Sequence, residues 1–434
     1  MADDEVQRDH LSEHLGELNL SNQVVASEDI RNQHGSLIIR KGQPITQEVA
    51  KRLAVHKLIK PVYASINLAH TYDGRKMYKC LEARLIELGF GDAIQRLNLH
   101  IDVRAQFNNV CSYPIINLKL TILAQRFPTV FVRVLTCAFM ALSIARELKL
   151  SEAMINNIFI ATMLTEVGLL HINPELANKS GAFTASEWRM YQGHAGIAKA
   201  FADHVPSLPK QVGTAILEHH ERNDGFGYPF KKKGNQLGIE GRILAITSTI
   251  SAVYRKHVVE QGRSFSVIAP VLQFNPAVNS IPVNNATLRL LDRALISKTH
   301  IINRQRTLRL IPRLLGLAED LNHWITRTEI LTQLHSQELS PAKYDAHREL
   351  YEQLLNILDT SGLLSNHQQE WLKRVAVSKD EREFPAVEHF AVMLFEAKYQ
   401  CQQVHRFFIS LLPKSYKGTA KFKVWNEQLQ QFLK

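Results

Sequence analysis

Two segments that are apolar on every face limit most severely what this chain can fold into. PTVFVRVLTCAFMALSIARELKL (128–150) and EAMINNIFIATMLTEVGLL (152–170) run with almost no internal breakers. A helix with one wet side shows polar residues at a 3.6-residue period, whereas one that is apolar all round needs neighbours on every side. Such segments belong at the centre of a helical bundle, so the expected fold class is mainly α. KCLEARLIELGF and IINLKLTILAQRF add periodic helices before them. LRLLDRALI, TLRLIPRLLGLAEDLNHWI, SPAKYDAHRELYEQLLNILDTSG and HFAVMLFEAKYQCQQVHRFFISLL form a second helical region after about residue 285. Ser340 before Pro341 marks a helix start, and Gly362 a stop.

Ahead of the helices, residues 18–70 read as a small α/β domain. VVASEDI, GSLIIRKGQPI and PVYASI are short β-type runs, with Lys41-Gly42 as a turn. Thr46 caps a helix carrying Val49, Leu53 and Leu58 on roughly one face. The expected division is an acidic tail (1–17), the α/β domain (18–70), a central helical domain (77–285) and a C-terminal helical region (286–434).

No uninterrupted apolar run of membrane-spanning length stands out, and the acidic, polar N-terminus has the wrong chemistry for a secretory signal. A cytoplasmic location and no membrane partner are therefore expected. The 4 cysteines (Cys80, Cys111, Cys137, Cys401) lie far apart, without the spacing of a disulfide framework or a cysteine zinc site. A net charge of +11 favours anionic partners. Yet the basic residues are scattered, Lys231–Lys233 being the only tight run, and no nucleic-acid motif accompanies them. Nucleic acid is not an expected partner. No P-loop, dinucleotide fingerprint or nucleophile elbow occurs.

Chemistry concentrates in HHERNDGFGYP, His219 to Pro229, where Gly and Pro cluster inside an otherwise helical region. Adjacent imidazoles at a helix end diverge by about 100° and serve different ligand positions. Asp224-Gly225 and Gly227 permit tight turns, and Pro229 fixes the exit. This string resembles the HHE-x-x-DG-x-GYP signature of the HD-GYP family, bacterial phosphodiesterases that hydrolyse cyclic di-GMP. NKSGAFTASEWRMYQGHAGIA (178–198) is similar to the family's Lys-x-Gly…Thr-x-x-Glu…His segment, and FKKKGNQLGIEGRILAI (230–246) to the stretch after GYP. The resemblance covers roughly 125–275 well and 20–65 loosely. It implies an HD-type helical bundle with His194, His219 and His220 as metal ligands. Asp224, Gly225, Gly227, Tyr228 and Pro229, with Lys231, Lys232, Lys233 and Arg242 as phosphate contacts, become candidate ligand-binding residues.

The departures decide the expected function. Where the family reads LLHDIGK, this chain reads MLTEVGL, placing Thr165 and Glu166 at the name-giving pair and Leu169 at the phosphate-contacting Lys. The upstream His falls near Arg133, a cation that opposes a nearby metal. Ser248 and Ser251 replace both late aspartates. Every carboxylate in its usual place is lost, and Glu166 is the one candidate catalytic or fourth metal-ligating carboxylate. His171 more simply starts the loop HINPEL than joins the ligands, and Trp188 and Tyr191 near His194 serve either packing or base stacking.

The expectation is a degenerate, non-hydrolytic signalling protein with no cofactor, its three histidines hydrogen-bonded in a polar pocket. It would act by binding cyclic di-GMP or a partner such as a GGDEF-type signalling protein. The alternative is a metal-dependent phosphodiesterase or phosphohydrolase with a rearranged site around Glu166, His194, His219 and His220, using a divalent transition metal (Fe, Mn or Zn).

Overall fold

Helix formation begins earlier than the acidic N-terminus suggests. In the computed structural model, which describes residues 9–179, 181, 183–260, 265–275, 278–294, 304–334 and 336–433, the first helix is α1 (Leu11–Leu18). Leu11, Leu15 and Leu18 share one face at helical spacing and are buried, so this part of the expected tail belongs to the core. Residues 1–8 lie outside the described residues.

The described chain divides into two packing units, Met1–Arg255 with Ala277–Ile296, and Lys256–Pro276 with Ser297–Lys434. In the first, β1 (Val24–Ala26) pairs antiparallel with β4 (Ile66–Leu68), Val24 opposite Leu68 and Ala26 opposite Ile66. A hairpin joins β2 (Ile30–Arg31) to β3 (Leu37–Ile39) in a separate two-stranded sheet. Thr46 caps α2 (Gln47–Ala54) by accepting from the Val49 N–H, and Gly42 turns with φ +80°. The buried face of α2 is Ala50 and Leu53; Val49 and Leu58 are half-buried. PVYASI is not one strand: Val62–Ala64 forms a 3₁₀ turn and β4 begins only at Ile66.

Helices α3 (Gly74–Glu87), α4 (His100–Cys111) and α5 (Pro114–Arg126) lead into the centre. There α6 (Pro128–Glu147) packs on α7 (Glu152–Leu164), and their buried sets include Phe131, Val134, Leu135, Ile155, Ile158 and Phe159. After a 3₁₀ turn at Val167–His171 come α8 (Ala185–Asp203), α9 (Lys210–Glu218) and α10 (Ile239–Val253). Helix α9 packs on α7, α8 and α10, and α10 returns to α6. One expectation is corrected here. Two segments, Pro128–Glu147 and Glu152–His171, are long and apolar enough to cross a membrane. Most of each is buried within the bundle, which satisfies the apolar surface that lipid would otherwise cover.

The second unit is helical: α11 (Ile268–Phe274), α12 (Arg304–Leu334), α13 (Pro341–Ser361), α14 (Asn366–Ser378), α15 (Phe384–Leu411) and α16 (Ala420–Gln431). Ser340 and Gly362 bound α13, Ser340 ahead of Pro341 without a side-chain cap bond and Gly362 in the left-handed region at φ +62°. Its core includes Leu321, Trp324, Leu354, Leu372, Phe384, Leu394, Phe408 and Trp425. Of the LRLLDRALI segment, the structure describes residues up to 294, within the helix Ile281–Ala294 of the first unit.

Candidate functional site

Three imidazoles converge where α8 meets the end of α9. The start of α8 is fixed by a capping box: Thr184 accepts from the Glu187 N–H while Glu187 accepts from the Thr184 N–H. The Lys179 ammonium also donates to both Glu187 oxygens at 2.7 Å. This anchoring turns His194, ten residues along, inward to full burial. His219 forms the C-cap of α9 and His220 follows it.

The Nδ1–H of His194 donates to the Tyr191 carbonyl (2.6 Å) and that of His219 to the Ile216 carbonyl (2.5 Å). Both Nε2 atoms are thereby left with lone pairs, which face one another at 3.4 Å. His220 Nε2 is buried without a hydrogen-bond partner. One ligand atom from each of the three lies within 4.8 Å of the others. Burial, with His194 beside it, pulls His219 down to about 4 against the opposing field of Glu166. Burial and the His219 ring hold His220 well below its ordinary value. Neutral imidazoles with converging lone pairs are the form in which histidine ligates a metal, so these three residues fit one divalent ion.

The signature loop supports that arrangement rather than adding ligands. Glu221 is buried and accepts from the Phe230 N–H (2.6 Å) and the Lys232 N–H (3.1 Å). Asp224 accepts from the Arg222 guanidinium (3.0 and 2.5 Å) and from the Phe226 N–H (3.1 Å). A Cβ on Gly227 would sit 2.3 Å from the Arg222 amide nitrogen, so only glycine lets the loop fold back this closely. That return lays the Tyr228 ring on His220, centroids 4.6 Å apart and 25° from parallel, before Pro229 leaves to the surface. Gly225 supplies the turn itself, at φ +84°.

The basic residues expected as phosphate contacts divide. The Lys232 Nζ donates to buried Glu218 at 2.5 Å, and Arg242 donates to the Gly234 carbonyl at 2.8 Å; both hold the loop together. The stem of Lys233 packs on Gly225, and Lys231 is exposed. The run therefore does not act as one cationic patch, because each side chain leaves a turning backbone in a different direction.

At the Thr165-Glu166 pair, the Thr165 hydroxyl donates to the Thr162 carbonyl (2.9 Å) and turns into its own helix. Leu169 is buried in the core. Glu166 Oε1 pairs with an Arg133 nitrogen at 3.1 Å, while Glu166 Oε2 is buried with no hydrogen-bond partner. Burial alone would raise the Glu166 carboxyl, but Arg133, His194 and His219 outweigh it and hold it below its ordinary value. On the next turn of α6, the Cys137 thiol approaches the Thr247 carbonyl of α10 at 3.8 Å, with Ser251 also beside it. His171 stands apart from the three histidines, between Lys119 (2.5 Å) and Asp9 (2.8 Å).

Sequence reasoning named Trp188, Tyr191 and Tyr228 singly but missed Phe183, which joins them in an aromatic rim. Trp188 stacks on Tyr191 (5.9 Å, 10°) and meets Tyr228 edge-on (5.6 Å), with Phe183 against both Trp188 and Tyr191. Trp188 keeps 40% of its surface exposed, so packing and an open ring face coexist. Phe183 carried no periodic signal, since it precedes the helix whose residues it touches.

Residues 113–275 match a family described as the HD domain, the class of helical domain that this bundle and histidine cluster define. Within it, several relatives are cyclic dinucleotide phosphodiesterases. A cyclic di-GMP phosphodiesterase of Thermotoga maritima is 32% identical over 111 residues, 25% of this chain and 30% of that protein. One from Pseudomonas aeruginosa is 26% identical over 129 residues, 30% of this chain and 31% of its own length. A 3'3'-cGAMP-specific phosphodiesterase of Vibrio cholerae is 28% identical over 180 residues, 41% of this chain and 34% of its own. The similarity thus spans about a third of each relative. Taken with the His219–Pro229 signature, it makes residues 113–275 an HD-GYP-like HD domain.

Proposed function

We propose that this protein is a non-hydrolytic HD-GYP homologue that acts in bacterial cytoplasmic signalling by binding, with a cyclic dinucleotide as ligand or a GGDEF-type protein as partner. The observation that carries the reading is the Arg133–Glu166 ion pair. Where the resemblance expects a metal-ligating histidine and a bridging carboxylate, a cation occupies one oxygen of the Glu166 carboxylate. A hydroxide held between two metal ions needs carboxylates that bridge those ions and neutralise their charge, and Ser248, Ser251 and Thr165 supply none.

A metal at this site would be held by His194, His219 and His220, with Glu166 at its edge, and would supply Lewis acidity to a phosphoryl oxygen. The chain's own residues do the rest. Tyr228 holds His220 in place, Glu218 and Glu221 hold the loop, and Trp188 presents a ring face to a base. The converging Nε2 atoms and the unpartnered Glu166 oxygen favour a second reading, a phosphodiesterase running on a rearranged one-metal site.

Titration calorimetry with cyclic di-GMP and 3'3'-cGAMP, followed by chromatography of the recovered ligand, tests the proposal. Saturable binding with the ligand recovered intact is the expected result. Recovery of linear dinucleotide would replace this reading with the second.

A further inference from the structure

We propose that Arg133 is a built-in second cation: its guanidinium shares the Glu166 carboxylate with the histidine cluster, so the site accepts one divalent ion and excludes another. The inference rests on the non-hydrolytic reading above and explains how the fold enforces it.

Glu166 offers one oxygen to Arg133 at 3.1 Å, while the other is buried and free of hydrogen bonds. The Glu166 side chain is 12% exposed and that of Arg133 37%, so carboxylate and guanidinium meet at the inner edge of the site. The Glu166 carboxylate has His194 and His219 in its electrostatic surroundings, and these are the two histidines whose Nε2 lone pairs converge. A carboxylate with one oxygen on a guanidinium, the other unpaired, and two of the cluster histidines nearby can join two cations, of which the chain supplies one.

Among the described residues, those acting on Arg133 besides Glu166 are Tyr191 and Cys137, a phenol and a thiol. Cys137, one turn further along α6, meets Thr247 and Ser251 of α10. Burial pushes the Cys137 thiol up to about 11, so it is not a thiolate ligand at neutral pH. Hydroxyls and a neutral thiol are poor ligands for hard divalent ions, and a permanent positive charge repels them. Arginine stays protonated at every working pH, so pair and exclusion persist. An arginine suits this role better than a lysine would, because its delocalised charge tolerates partial burial and its planar fork matches a carboxylate.

Metal stoichiometry of the full chain provides the test. Wild type, Arg133→Lys, Arg133→His, Arg133→Gln and Glu166→Gln proteins would be titrated with Mn²⁺ and Zn²⁺ by calorimetry. Bound metal would be counted by mass spectrometry, with circular dichroism as the check on folding. Wild type and Arg133→Lys should each bind one ion. Arg133→His, which removes the charge and adds an imidazole, should bind a second at least tenfold more tightly than wild type does. Its Mn²⁺ electron paramagnetic spectrum should show spin coupling between two ions, absent in wild type. If Arg133→His does not fold, Arg133→Gln should still relax the exclusion, since it too deletes the charge. Glu166→Gln should weaken the single ion about tenfold.

Zero or two ions in wild type would overturn the inference, as would charge-deleting variants that fold and still hold one ion with unchanged affinity. Cyclic di-GMP turnover separates this from the functional reading. Two ions without turnover defeats the role of Arg133 alone, and turnover with one ion defeats the non-hydrolytic reading alone.

Discussion

Gly168 is the point at which the fold and the site are most tightly coupled, and replacing it with alanine should damage both. It lies in the 3₁₀ turn two residues after Glu166, against α8. A Cβ built there falls 2.0 Å from the His194 carbonyl oxygen and 2.8 Å from its carbonyl carbon. Carbon–oxygen contacts settle near 3.3 Å or more, so one backbone must move by roughly 1 Å. No side-chain rotation relieves the clash, because both contacting groups are main chain. Overpacking of this kind costs about 1–3 kcal/mol; at roughly 2–4 °C per kcal/mol for a unit of this size, melting should fall by several degrees. His194 moves with its backbone, so its Nε2 leaves the position opposite His219, and Zn²⁺ affinity should drop about 10- to 100-fold. Gly196→Ala is the matched control: it lies on the same helix, is exposed, and has nothing within 4 Å of its added Cβ. It should be neutral or stabilise by about 0.4–1 kcal/mol. Thermal melts and Zn²⁺ calorimetry on both variants decide the matter. A Gly168→Ala protein that melts with wild type and keeps its Zn²⁺ affinity would refute the described packing of this turn on α8.

Four further outcomes follow from particular residues. Burial, reinforced by Arg126, pulls His14 from 6.5 to about 3, and burial with His405 nearby pulls His347 to about 4. The unfolded chain binds these protons first as pH falls, so the stability gained by keeping both rings neutral is complete above 6.5. It is then lost through the window down to about 3–4. Acid titrations of His14→Phe and His347→Phe should each flatten that loss. Burial lowers the Lys119 ammonium to about 7, partly opposed by Asp9, so the unfolded state binds the extra proton between about 7 and 10.5 and stability rises with pH across that range. Lys119→Met should remove this rise in urea titrations and add about 1–3 kcal/mol at pH 7. Lys232→Ala should cost about 1–3 kcal/mol by leaving buried Glu218 without its ammonium, whereas Lys231→Ala should stay within about 0.5 kcal/mol.

What the sequence announced was what local chemistry decides. The all-round apolarity of 128–150 and 152–170 demanded a bundle centre, and Thr46, Ser340 and Gly362 punctuate the chain where they should. The three histidines could be paired in advance because the motif is contiguous around His219 and His220 and resembles a known family. Tertiary choices were hidden. Nothing local says that Arg133 will reach Glu166, 33 positions away, or that Glu218, three residues before the signature Glu221, will take Lys232. Asp224 looked like a ligand-binding residue, but its carboxylate closes a turn with Arg222. The leucines of α1 were masked by the acidic residues around them, whose solvation reads as a tail until the bundle offers a surface. PVYASI has strand composition, yet its first residues tighten into a 3₁₀ turn that only the β1–β4 pairing ends.

Hydrolysis is the claim on which the account turns. Purified protein, loaded anaerobically with iron or manganese, would be incubated with cyclic di-GMP and the products followed by chromatography, alongside an active relative such as the Thermotoga maritima phosphodiesterase. The account predicts no linear dinucleotide from this protein while the relative works. Turnover that disappears in a His219→Ala, His220→Ala double variant would contradict it.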